Sequence, residues 1–292
     1  MGIYAFAGGK GGVGKTTTTL NVGVSLARNG YEVTVVDADL AMTDLGYLLE
    51  DDLDAGIHDV LAGECSLSKA TIEGPHGVQL IPGHRSLEAL RDADPSKLAA
   101  VFGTLSKDDE FVLVDTGAGL SHEVLVSLGA ADGAFVVTTP KSTAVGDATQ
   151  TEAIADRVDG TLLGTVVTRV RSPDGLESVA DEMDTPVVGS VPEETRLSRS
   201  PLIVADGPVP DEHSAAAGYR HLARLLEACD DAADPQTVAS EFDEPPVPPA
   251  DFDPADVEPE TTEQVDSPTV DEGDGAEADD GPVGLFGSLL GR

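Results

Sequence analysis

Tryptophan is absent from this 292-residue chain, and aromatic residues of all kinds make up only 4% of it. Basic residues are scarce too: 17 Lys and Arg stand against 54 Asp and Glu, for a formal net charge of -37. Long-range repulsion of that sign opposes direct binding to nucleic-acid phosphates, so DNA is an unfavoured partner. No apolar run approaches the ~20 residues needed to span a bilayer. The N-terminus lacks the charged region, apolar run and cleavage site of a signal peptide. The two cysteines, Cys65 and Cys229, form no CxxC or metal-ligand pattern and read as isolated reduced thiols. A cytoplasmic location is the expectation.

The apolar share, 40%, is enough for one large α/β core. From residue 230 onward there are 19 acidic residues and one basic residue, Arg292. The remainder carries 35 acidic and 16 basic groups, a net of -19, so acidity belongs to the folded part as well as to the C-terminal stretch. The pattern suits a protein solvated in concentrated salt, a halophilic cytoplasm, where repulsion is screened within ~3 Å at 1 M. An ordinary acidic protein is the alternative.

Short apolar runs alternate with helical patterns over residues 1–229. Strands are expected at Ile3–Ala7, Val33–Asp37, Val78–Ile81, Phe111–Asp115, Ala134–Thr138, Leu162–Thr168 and Val187–Val191. Runs such as FVLVD and AFVVTT are apolar on both faces, as strands of a covered parallel sheet are. Helical segments are expected at Thr16–Arg28, Pro95–Leu105, His122–Ala130, Gly146–Arg157 and Ser214–Ala228. The repeated strand–helix order gives a doubly wound, mainly parallel α/β fold. Residues 230–281 are rich in Asp, Glu and Pro with no helical or strand period, and read as a disordered linker. Residues 282–292 form a separate short tail.

The chemistry is concentrated near the start. The strand IYAFA runs into GGKGGVGKTTTTLN, which satisfies GxxxxGK[ST] from Gly9 through Thr16. Glycines let successive N–H groups of Gly9, Lys10, Gly11, Gly12, Val13 and Gly14 turn toward phosphate. The helix that follows brings its positive end, with Lys15, Thr16 and Thr17, to the same place. Lys15 is expected on the β- and γ-phosphates of ATP, and the Thr16 hydroxyl on Mg²⁺. The second strand ends in VVDADLAMTDLG, where Asp37 and Asp39 fall on one side of the strand. Both are expected to face the metal and attacking water, with Asp39 orienting the water; Asp44 is a further candidate without a fixed position. The strand FVLVDTGAG ends in Asp115, placed to hold Mg²⁺ through water, and Gly117 and Gly119 free the loop after it.

Because KGGVGKT has a lysine at each end, the chain resembles the MinD/ParA family of deviant Walker ATPases, closest to archaeal MinD-like proteins. The resemblance covers nearly all of residues 1–229 and includes GIHDVLAGE, VTTPKSTAVGDA and VGSVPEE in family order. It implies a Mg²⁺-dependent ATP hydrolase of the P-loop NTPase fold that dimerises in the ATP state, with Lys10 crossing to the partner's phosphates. It also implies base contacts from Pro192 and Glu193. Two departures stand out: Val170–Arg171 replaces a stretch where relatives often supply Asn to the adenine, and Lys141 stands where Glu is common. The implied role is a spatial switch that positions division or motility machinery at the membrane through an unidentified activating or cargo protein. ParA-type DNA partitioning and flagellar placement through a protein partner are the alternatives. An iron–sulfur carrier on the same fold would need paired cysteines that Cys65 and Cys229 do not supply.

In the tail, Val283, Phe286 and Leu290 share one helical face, with Leu285 and Leu289 beside them. So short and Gly-rich a helix needs a surface on which to form. By the same resemblance that surface is the cytoplasmic membrane, bound reversibly and strengthened by two copies in a dimer. A docking peptide for another protein and an inert tail are the competing readings.

Overall fold

The computed structural model describes residues 1–48, 54–84, 86–194, 214–230, 232–248 and 250. They belong to a compact unit, Met1–Glu260. A second unit, Thr261–Arg292, lies outside the described residues, and with it the tail positions Val283, Leu285, Phe286, Leu289 and Leu290.

Eight strands form one sheet: β1 (Gly2–Gly8), β2 (Val33–Ala38), β3 (Ile72–Glu73), β4 (Gln79–Ile81), β5 (Phe111–Ala118), β6 (Gly133–Thr138), β7 (Leu162–Val170) and β8 (Val187–Pro192). Their order is β3-β4-β2-β5-β1-β6-β7-β8, with every pairing parallel except the short β3–β4 edge. The helices are α1 (Lys15–Arg28), α2 (Leu45–Leu48), α3 (Ile57–Ala62), α4 (Leu67–Ala70), α5 (Leu87–Asp92), α6 (Leu98–Leu105), α7 (His122–Ala130), α8 (Ser142–Ala155), α9 (Pro173–Ala180), α10 (Ala215–Asp230) and α11 (Pro235–Glu241).

Alternation along the strands builds two cores, one on each face of the sheet. Tyr4 and Phe6 of β1 pack with Leu20 and Leu26 of α1 and Leu222 and Leu226 of α10. Their neighbours Ile3, Ala5 and Ala7 join Phe102 of α6, Leu128 of α7 and Ile154 of α8 on the other face. Strands covered on both sides in this way must be apolar throughout, which is why the runs were readable as strands.

The ordered fold runs past the boundary expected at residue 229, and the reading of 230–281 as wholly without helix is corrected here. Helix α10 ends at Asp230, and Asp234 caps α11 by accepting the Thr237 N–H. Ala239 of α11 is buried in the core, and the Gln236 side chain donates to the Leu162 carbonyl of β7 at 2.8 Å. A seven-residue helix with one buried alanine leaves almost no hydrophobic period in the sequence. Among the described residues, no helix is long and apolar enough to cross a membrane.

Candidate functional site

Strand order places the chemistry. β5 lies between β1 and β2, and the register aligns Phe6, Asp115 and Asp37 in one row across the three strands. The loops leaving the C-terminal ends of these strands therefore meet over a single spot, where open parallel sheets bind ligands.

The loop Gly9–Gly14 leaves β1 and turns directly into α1. Gly12 and Gly14 have φ of 76° and 97°, a region that side-chain-bearing residues enter only at a cost of ~1–2 kcal/mol. Gly14 forms the start of α1 with no side chain capping it, and the first turn carries no acidic residue. The leading N–H groups of Lys15, Thr16 and Thr17 thus keep the donor capacity and positive field that suit an anion. Val13 is buried beneath the loop.

Contacts that the sequence did not announce hold this loop in shape. The Thr168 hydroxyl at the end of β7 donates to the Val13 carbonyl, and the Arg169 guanidinium donates to the Gly12 carbonyl at 2.8 Å. Arg169 itself adopts a φ of 55°, unusual for a residue with a side chain. Gly9 sits so close to α8 that a Cβ there would overlap the Asp147 carbonyl. None of these partners is near the loop in sequence, so no local pattern could have revealed them.

Lys15 is buried, 7% exposed, and its charge opposes the rise that burial causes in the pKa of both Asp39 and Asp115. Asp115 is fully buried, and neither carboxylate oxygen has a hydrogen-bond partner of ordinary geometry. Burial pushes its pKa up to about 7, while the nearby Thr16 hydroxyl and Lys15 oppose the rise. Two orphaned buried oxygens beside a lysine and a threonine hydroxyl match the hard oxygen donors that Mg²⁺ takes. The residues therefore fit the metal.

Asp39 is partly exposed. Its Oδ1 accepts the Met42 N–H at 3.0 Å, and burial raises its pKa against the pull of that bond and of Lys15. A Cβ on Gly117 would lie 3.3 Å from the same oxygen, so Asp39 borders the loop after β5. Asp44 lies further along the same loop and is exposed.

Asp37 lies deeper than Asp39. It is fully buried, with one oxygen accepting the Asp39 N–H and the other the Leu45 N–H, each at 3.2 Å. Burial and the facing Asp115 charge raise its pKa well above the carboxylate norm. Each oxygen accepts one backbone N–H, so Asp37 ties down the two ends of the loop.

Lys10 is exposed, and its Nζ donates to the Thr143 hydroxyl on the first turn of α8 at 3.0 Å. Further along the strand ends, Thr139, Pro140, Lys141, Arg169, Arg171 and Glu193 border a cavity of about 360 Å³. Arg171 forms an ion pair with Glu193, whose N–H donates to the Val170 carbonyl. The basic residue found in place of the expected Asn is thus matched by an acid that directly follows the next strand. Pro192 closes β8 beside them.

The comparisons with known proteins agree with this fold. The CobQ/CobB/MinD/ParA nucleotide binding domain model matches residues 4–202. An uncharacterised ATP-binding protein of Methanocaldococcus jannaschii is 35% identical over 233 residues, covering 77% of this chain and 87% of its own. The cell division ATPase MinD of Pyrococcus furiosus superposes with a TM-score of 0.70 at 31% identity, covering 77% of this chain and 98% of that one. The septum site-determining protein MinD of Pyrococcus horikoshii, complexed with Mg-ADP, gives 0.71 at 30% identity, covering 80% and 99%. On fold, motif and match together, the chain belongs to the CobQ/CobB/MinD/ParA nucleotide binding domain family.

Proposed function

We propose that this chain is a MinD-like ATPase whose ATP-bound dimer is a spatial switch at the membrane. The observation that carries the reading is the division of labour between the two loop lysines. Lys15 is buried and acts on Asp39 and Asp115, whereas Lys10 is exposed, with its Nζ on the Thr143 hydroxyl of α8. A lysine so placed is available to a nucleotide held by a second copy. The Mg-ADP held by the Pyrococcus horikoshii protein supports ATP and Mg²⁺ as the ligands here.

The N–H groups of Gly9–Gly14 and the start of α1 bind the phosphates, and Lys15 neutralises the β- and γ-oxygens. Thr16, Asp115 and Asp39 are the residues that would hold Mg²⁺. When bound, the metal supplies charge neutralisation for the departing phosphate. Asp39 orients the attacking water from the loop after β2, and Asp37 keeps that loop in place. Pro192, Glu193 and Arg171 border the base.

Membrane residence is read out through residues 282–292, weakly by one copy and strongly by two. The test is co-sedimentation with liposomes at high salt, comparing the intact chain with one ending at Asp280. ATP-dependent pelleting that disappears on truncation is the expected result. Absence of pelleting with either nucleotide, in protein that binds ATP, would remove the membrane from the account and favour a protein partner for the tail.

A further inference from the structure

A buried histidine outside the site grips the loop that carries Asp39. His58, in the first turn of α3, is fully buried. Its Nδ1 accepts the backbone N–H of His84 at 3.1 Å, and its Nε2 lies 2.9 Å from the carbonyl of Leu40. A backbone N–H can only donate, so Nδ1 carries no proton. The proton is then on Nε2, which donates to Leu40. Leu40 is the residue after Asp39.

The surroundings reinforce this grip. His84 lies in the turn after β4, and its Nε2 pairs with Asp59 at 2.7 Å. Asp59 also accepts the Gly56 N–H at 2.8 Å, and the Pro82 carbonyl accepts the Ile57 N–H at 2.8 Å. Residues 82–84 and the start of α3 are thereby locked into one unit. That unit touches the loop a second time at Gly83, where a Cβ would overlap the Thr43 methyl and come within 3.1 Å of the His58 ring. Filling a core needs no polar atoms. An imidazole with both nitrogens joined to the backbones of two separate loops links those loops, at the cost of desolvating both nitrogens.

We propose that His58 is a positioning residue for hydrolysis: through the Leu40 carbonyl it fixes the backbone of Asp39, and so the place of the attacking water. The proposal rests on the reading of Asp39 given above. It differs from the role of Asp37, which lies inside the site against Asp115. His58 reaches the chemistry only through Leu40, so its loss separates hydrolysis from nucleotide binding. Protonation would break the grip, because a second N–H on Nδ1 would confront the His84 N–H. Burial and His84 disfavour that proton, while the Leu40 carbonyl and Asp59 favour it.

The test uses the full chain and two variants, His58→Phe and His58→Gln. A glutamine can still offer an amide N–H to Leu40. ATPase kcat and KM, affinity for a fluorescent ADP analogue, and kcat from pH 5 to 8 are measured. His58→Phe should lose at least tenfold in kcat with ADP affinity within threefold of wild type. His58→Gln should recover to within threefold at neutral pH and fall less steeply than wild type below pH 6.5. Near-wild-type kcat in His58→Phe, or affinity and kcat falling together in both variants, would overturn the proposal. If His58→Phe does not fold, the pH profile of His58→Gln decides, and a profile identical to wild type overturns it. A wild-type chain that binds the analogue but shows no ATPase activity would sink the functional reading itself, and this proposal with it.

Discussion

At Asp115 the chemistry of single residues is most exposed. Its carboxylate is fully buried, has no hydrogen-bond partner of ordinary geometry, and has a pKa raised by burial to about 7 against an ordinary 3.8. A raised folded-state pKa means that the metal-free fold prefers the protonated acid. The associated stability is fully present below about pH 4 and is lost as pH rises through about 7. Mg²⁺ prefers the ionised form, so its binding there displaces a proton in the same window. The gain in Tm from Mg-ADP over EDTA should therefore grow from pH 5 to pH 8, and thermal melts would record it. Asp115→Asn should flatten that growth; an unchanged slope would mean that Asp115 is not where the metal and proton compete. The phosphate loop was legible from sequence because each residue type in GKGGVGKT answers a separate physical need. Arg169, Thr168 and His58 were not, because their partners Gly12, Val13 and Leu40 are distant in the chain and only the fold unites them.

Among the elements, the sheet shows what patterning reveals and what it hides. Strands buried on both faces, such as β5 and β6, announce themselves by composition, and α7 follows its apolar spacing. Brief elements escaped: β3 has two residues, and α2 and α4 have four each, less than a full period of evidence. Helix α9 offered Pro at its first position and Ser172 before it, a start signal that was available but unused. Helix α11 sits in acidic, Pro-rich sequence, yet Ala239 is buried against the core. Ala239→Asp places a charge in that contact and should cost about 3 kcal/mol, lowering Tm by roughly 6–12 °C. Nucleotide affinity should be unchanged, since α11 packs against β7 and α10, away from the phosphate loop. Calorimetry and an ADP titration on the same sample would show both. A variant as stable as wild type would mean that α11 adds nothing to the fold.

For the whole molecule, charge and symmetry decide the behaviour. A net charge of -37 sets two copies of this chain against each other at low ionic strength. Screening at molar salt shortens that repulsion to ~3 Å, a condition the proposed face-to-face dimer would need. Lys10, exposed on the phosphate loop, would supply one positive charge to such a contact. The same acidity argues against a DNA track as the surface on which the proposed dimer would act. Sedimentation velocity in molar salt with Mg²⁺ tests the central claim most directly, using Asp39→Ala to preserve bound ATP. The account predicts a monomer in ADP, a dimer in ATP, and a return to monomer in ATP when Lys10→Ala is added. A chain that binds ATP but stays monomeric, or that dimerises equally in ADP, would contradict it.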